Sequence, residues 1–128
     1  MQLLLDTHIF IAFARGSLSA TYPKLAVHIK NDENICFLSV ASIWEIAIKR
    51  RLGRLDAGLP PEEITDFCQA TAVQLLPIIA SHATGIVSPE PLTRDPFDRM
   101  LLAQCAVEGM KLVTVDKLLT GHPLVLSA

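Results

Sequence analysis

No two of the three cysteines, Cys36, Cys68 and Cys105, form a C-x-x-C pair, and their odd number argues against a closed disulfide framework. They fall within apolar stretches, which suits buried small hydrophobes in a reducing compartment. The N-terminus lacks the basic stretch of a secretory signal, and Asp6 interrupts its apolar start. The longest apolar run, Ile9 to Ala14, falls far short of the roughly 20 residues that a membrane span requires. A soluble, cytoplasmic protein is therefore expected. The 128 residues also contain no Gly/Ser/Pro-rich linker, so a single domain over 1–128 is expected. A domain of that size buries roughly 65–70% of the surface of its unfolded chain. It needs no disulfide or structural metal to hold a core.

Apolar residues are plentiful. They make up 51% of the chain, and the mean hydropathy is +0.42. Strands buried on both faces raise hydropathy in this way, and so does apolar surface covered by another chain. Continuous apolar runs at Gln2–Leu5, Ile35–Leu38, Val73–Ile79 and Lys111–Val115, with a weaker one at Leu124–Leu126, suit doubly buried strands. Pro77 makes the third of these an edge strand or ends it early. Helical patterns lie between the runs: Thr7–Arg15, Tyr22–Lys30, Val40–Leu52, Pro61–Ala70 and Ser81–Val87. Ser39 is a plausible N-cap for the third, which places Ile43, Ile46 and Ala47 on one face. Asp95-Pro96 opens a last helix that runs to Glu108 and stops at Gly109, giving an N-cap, an N1 proline and a C-terminal glycine in order. The alternation predicts an α/β fold: a three-layer α/β/α sandwich around a mostly parallel sheet.

Four acids fall where such a sheet binds ligands, beyond the carboxyl ends of its strands. Asp6 follows the first strand and Asp116 the strand ending at Val115. Glu45 lies in the second turn of the helix after Leu38, and Asp98 in the first turn of the helix before Lys111. Each also has a purely structural use. Asp6 and Asp116 are placed to cap local turns, Asp98 to complement a helix dipole, and Glu45 to pair with Lys49 at i,i+4. The joint pattern favours one shared rim.

Ionised carboxylates about 4 Å apart repel by roughly 4 kcal/mol at an effective dielectric near 20. A shared pocket therefore calls for protonation or a cation. An all-oxygen set points to Mg²⁺ or Mn²⁺, and such a site suits metal-assisted phosphodiester hydrolysis, with a spare carboxylate to accept a proton. The formal net charge of −2 looks unpromising for a nucleic-acid protein, but bound metal would make the acidic pocket attractive to phosphate. The four histidines, His8, His28, His82 and His122, form no metal-binding cluster, and only His8 lies near the acids in sequence. Lys49-Arg50-Arg51, Arg54, Arg94 and Arg99 are either solvated helix ends or contacts to nucleic-acid phosphates. Other phosphate chemistries fit less well. Asp6-Thr7-His8 lacks the glycines of a nucleotide-binding turn, and His8 stands where a haloacid dehalogenase needs its second aspartate. Residues 1–5 lack the acids of a response-regulator receiver.

Leu4-Leu5-Asp6-Thr7-His8 and Ser39-Val40-Ala41-Ser42-Ile43-Trp44-Glu45-Ile46-Ala47-Ile48-Lys49 resemble the opening motifs of PIN-domain toxins of the VapC type. Arg94-Asp95-Pro96-Phe97-Asp98-Arg99 and Leu112-Val113-Thr114-Val115-Asp116 resemble the closing ones, in order and over nearly the whole chain. The resemblance implies a Rossmann-like fold and a quartet of Asp6, Glu45, Asp98 and Asp116 that binds Mg²⁺ or Mn²⁺ and cleaves RNA. It leaves Asp95 to cap the helix and makes Thr7 and Thr114 candidates for holding carboxylates in place. It further implies an endoribonuclease toxin of a type II toxin–antitoxin pair, commonly a homodimer and silenced by a small antitoxin protein. The further acid that some relatives carry is absent from Lys117-Leu118-Leu119-Thr120-Gly121. The alternative within the same fold is a catalytically idle module that binds RNA or a protein partner.

Overall fold

A computed structural model describes residues 1–126; Ser127 and Ala128, the last two residues of the expected domain, lie outside the described residues. The chain alternates strands and helices. Strands β1 (Gln2–Leu5), β2 (Ile35–Ser39), β3 (Gln74–Leu76) and β4 (Lys111–Val113) form one sheet in the order β3-β2-β1-β4. Every pairing is parallel.

Leu3, Leu4 and Leu5 are all fully buried, as a central strand covered on both faces must be. Their side chains alternate between two cores. Leu3 and Leu5 join Phe10 and Ile11 of α1 (Thr7–Ala14), Leu25 and Ile29 of α3 (Pro23–Lys30), Ile46 of α4 (Val40–Arg51), and Ile64 and Cys68 of α5 (Ile64–Ala70). Leu4 packs on the opposite side with Leu112 and with Leu101, Leu102 and Cys105 of α7 (Pro96–Glu108). These two apolar layers on either side of one sheet make the expected sandwich. All three cysteines are buried free thiols.

Several boundaries shift for local reasons. The expected helix over Tyr22–Lys30 begins at Pro23, with Tyr22 at the N-cap position, and a short helix α2 (Leu18–Thr21) precedes it. Its Val27 is 70% exposed, while Leu25, Ala26 and Ile29 turn inward. The segment from Pro61 starts as a 3₁₀ turn (Pro61–Glu63) before α5. Strand β3 stops before Pro77 and lies at the sheet edge, as the missing N–H requires. The short helix expected over Ser81–Val87 is α6 (Ala80–Thr84). Leu124–Leu126 adds only an isolated parallel bridge, Val125 to Leu112.

Strand β4 ends at Val113, not Val115. Leu5 pairs with Val113, and the next residue of β1, Asp6, donates its N–H to the Val113 carbonyl before turning into α1. Thr114 and Val115 then have no neighbouring strand on that side. Asp116 consequently stands three residues past β4 rather than directly after it.

Helix α7 has the expected ends. The Asp95 carboxylate accepts the N–H groups of Phe97 and Asp98, Pro96 occupies the first turn, and Gly109 closes the helix at φ 70°. A Cβ at Gly109 would meet nothing within 4 Å, so the left-handed backbone alone resists substitution. Gly109→Ala is expected to lower unfolding free energy by about 1 kcal/mol, read as a lower urea midpoint with an unchanged m-value.

Candidate metal centre

The strand order reverses beside β1, since β2 lies on one side of it and β4 on the other. Crevices at such points open beyond the carboxyl ends of the strands. Here a cleft of about 420 Å³ is lined by Asp6, His8, Arg15, Tyr22, Val115 and Asp116.

Asp6 is buried at the mouth of β1. One oxygen, Oδ1, accepts the Thr7 N–H at 2.7 Å, the capping role; the other, Oδ2, accepts the Thr114 hydroxyl at 2.6 Å. Burial raises its pKa above the ordinary carboxylate value and outweighs the lowering by Thr114, Thr7 and His8, while the charge of Glu45 adds to the rise.

Glu45 is also buried, on the inner face of α4. The Thr7 hydroxyl donates to its Oε1 at 2.6 Å and lies 3.0 Å from the Ser42 hydroxyl. A hydroxyl has one proton to give, so Ser42 donates to Thr7 and fixes its direction. Glu45 Oε2 accepts Lys49 Nζ at 2.6 Å, the expected i,i+4 pair.

Asp98, in the first turn of α7, is half-buried. The fully buried Thr93 donates its hydroxyl to Asp98 Oδ2 at 3.0 Å and accepts the Asp95 N–H at 3.2 Å. Burial, the neighbouring Asp95 charge, and the charges of Asp6 and Asp116 push Asp98 up to about 6 against the lowering hydrogen bond from Thr93. Asp116 accepts the Leu118 N–H at 2.9 Å through Oδ1, while its own N–H donates to the Thr114 hydroxyl at 3.1 Å.

Each acid therefore has its anticipated structural role, and three of them have something more. Hydroxyls on three separate segments aim at Asp6, Glu45 and Asp98. Asp6 lies within the field of Glu45, and Asp98 within the fields of Asp6 and Asp116. Among the described residues, Glu45 and Asp116 share no hydrogen-bond partner. Among the described residues, no three His, Cys, Asp or Glu side chains already converge on one point as a ready cage for an ion. Of the four acids, Asp6 and Asp116 line the cleft, and Asp98 lies in the field of both. Their donor set, all hard oxygen, fits Mg²⁺ or Mn²⁺, and Asp6 and Asp98, raised chiefly by burial and further by nearby carboxylates, are groups that a cation would relieve.

Thr7 and Thr114 hold carboxylates as anticipated; the roles of Ser42 and Thr93 emerge only in the structure. A hydroxyl two residues before the helix-capping Asp95 is the usual sign of a local turn, which is where Thr93 was open to discovery. Trp44 packs edge-on against Phe97, with ring centroids 5.6 Å apart. That contact joins the start of α4 to the start of α7 and so ties Glu45's helix to Asp98's.

The other singled-out residues divide. Exposed His8 lines the cleft. His82 is buried elsewhere, with Nδ1 accepting the Ile79 N–H and Nε2 facing Glu108 Oε2 at 2.8 Å. Arg99 is committed to the preceding loop through the Thr93 carbonyl and Glu90. Arg50, Arg51, Arg54 and Arg94 are exposed and form no ion pair among the described residues. No described helix is long and apolar enough to cross a membrane.

Two solved structures share the fold. One, VapBC2 from Rickettsia felis bound to a DNA fragment from its promoter, is similar at TM-score 0.62 and 14% identity, over 98% of this chain and 96% of that one. The other, a toxin–antitoxin complex from Klebsiella pneumoniae, is similar at TM-score 0.63 and 20% identity, over the same shares. No curated protein sequence matches the chain. The PIN domain family matches residues 3–120. With acids at the switch point of a parallel sheet and a match over nearly its whole length, the chain belongs to the PIN domain family.

Proposed function

We propose that this protein is a Mg²⁺- or Mn²⁺-dependent endoribonuclease, the toxin of a type II toxin–antitoxin pair, with Asp6, Glu45, Asp98 and Asp116 as its metal-binding and catalytic acids. One observation carries the reading. Asp6 and Asp98, delivered by different segments, are both held above the ordinary carboxylate pKa and each lies in the field of further acids. A divalent cation bound there supplies an activated water and charge neutralisation at a phosphodiester.

The chain's own groups do the rest. Thr114 and the Thr7 N–H hold both Asp6 oxygens, Thr7 and Ser42 orient Glu45, and Thr93 orients Asp98. Asp98, raised to about 6, is suited to accept a proton near neutral pH. Exposed Arg50, Arg51 and Arg94 offer cations to the RNA backbone.

The partner side of the reading draws on apolar surface. Trp44, Ile86 and Leu92 are strongly exposed. A cleft of about 690 Å³ beside the acids, lined by Tyr22, Leu25, Val115 and Val125 among others, suits an apolar antitoxin segment. That one structure of this fold is VapBC2 and another a toxin–antitoxin complex supports this reading, as does the motif resemblance for a homodimer in the cytoplasm.

The test is hydrolysis of total RNA by purified, antitoxin-free protein. Cleavage is expected with Mg²⁺ or Mn²⁺, with none in EDTA and recovery when the metal is returned. Cleavage that survives EDTA, or RNA binding without metal-dependent cleavage, overturns the proposal.

A further inference from the structure

Both oxygens of Glu45 already have donors. Oε1 takes the Thr7 hydroxyl and Oε2 the Lys49 ammonium, each at 2.6 Å. The two donors differ in freedom. Thr7 is buried and held from behind by Ser42, whereas the Lys49 side chain is 36% exposed on a flexible four-carbon stem. The ammonium is also in the fields of Asp95 and Asp98, so it sits where positive charge is favoured by three acids.

We propose that Lys49 is a resident counter-ion of the acidic rim, which a divalent cation must displace from Glu45 Oε2 before Glu45 serves as a ligand. The inference rests on the divalent-cation reading of the site and adds to it a competition set by this chain's own residue. Lys49 keeps buried Glu45 paired when no metal is at hand, and its outward swing frees an oxygen when one arrives. An ammonium left in place beside the metal would repel it.

The experiment is calorimetric titration of Mn²⁺ into wild type, Lys49→Met and Lys49→Arg, with melting followed in EDTA and in Mn²⁺. Lys49→Met is expected to bind Mn²⁺ about tenfold more tightly, to melt below wild type in EDTA, and to gain more from added Mn²⁺. Lys49→Arg, which keeps the charge, is expected to stay near wild type. If Lys49→Met does not fold, Lys49→Gln is read by the same criterion. Unchanged or weaker Mn²⁺ binding by a folded neutral variant overturns the competition while leaving the metal site standing. Failure of wild type to bind Mn²⁺ at all overturns both.

Discussion

Asp98→Asn is expected to reduce metal-dependent RNA hydrolysis by about a thousandfold or more, roughly 4 kcal/mol of transition-state stabilisation, while making the protein more stable in EDTA at pH 7. The two effects share one cause. The Asp98 carboxyl is raised to about 6 by burial and by neighbouring acids, so its ionised form is penalised in the fold. Between about pH 4 and pH 6 the folded chain binds more protons at this site than the unfolded one, and stability falls as pH rises through that window. Above pH 6 the whole penalty is felt.

Asparagine is neutral and keeps an oxygen to accept the Thr93 hydroxyl, so the substitution removes the penalty without emptying the hydrogen bond. With the carboxyl raised to about 6, the gain is bounded by about 3 kcal/mol; partial exposure and the lost interaction with the N-terminus of α7 reduce it to about 1–2 kcal/mol. The measurement is thermal melting in EDTA from pH 4 to 8. The wild-type melting temperature is expected to decline between pH 4 and 6 more steeply than that of Asp98→Asn, with the variant higher by several degrees at pH 7. Identical pH profiles would show that Asp98 carries no such penalty.

Thr7→Val carries the second large effect. Valine matches the shape of threonine and deletes one hydroxyl, the group that links Ser42 to Glu45 Oε1. A buried carboxylate oxygen then loses its donor and the Ser42 hydroxyl its acceptor. An unsatisfied buried group costs about 1–3 kcal/mol. The Thr7 N–H bond to Asp6 survives, so Asp6 keeps its place. The expected outcome is a melting temperature lower by several degrees and RNA cleavage reduced about 10–100-fold, the range typical for groups that orient metal ligands. Thr7→Ser, which restores the hydroxyl, is expected to recover most of the cleavage. No recovery by Thr7→Ser, or full cleavage by Thr7→Val, would remove the orienting role.

How far the sequence reaches is clearest element by element. Helix α7 was legible at both ends because its signals are local. A capping carboxylate, a proline in the first turn and a terminal glycine each act on their own backbone. The sheet was legible because doubly buried strands show as unbroken apolar runs, and Leu3, Leu4 and Leu5 face two cores in turn. Pro77 marked the end of β3 for an equally local reason.

What failed locally failed for want of a neighbour. Thr114 and Val115 carry as much strand character as Leu112 and Val113, yet β4 stops because its partner turns away at Asp6. Val27 fits the apolar composition of its helix but points to solvent, because only the packing of α3 decides which face is inward. The chain alone therefore determined the α/β alternation, the helix caps, and the four acids with the order in which they come. Only the tertiary structure decided that Thr93 reaches Asp98, that Ser42 stands behind Thr7 where Thr7 holds Glu45, and that Asp98 feels charges nearly a hundred residues away in sequence. Hydrogen bonds and Coulomb fields depend on distance in space, which one-dimensional order does not encode.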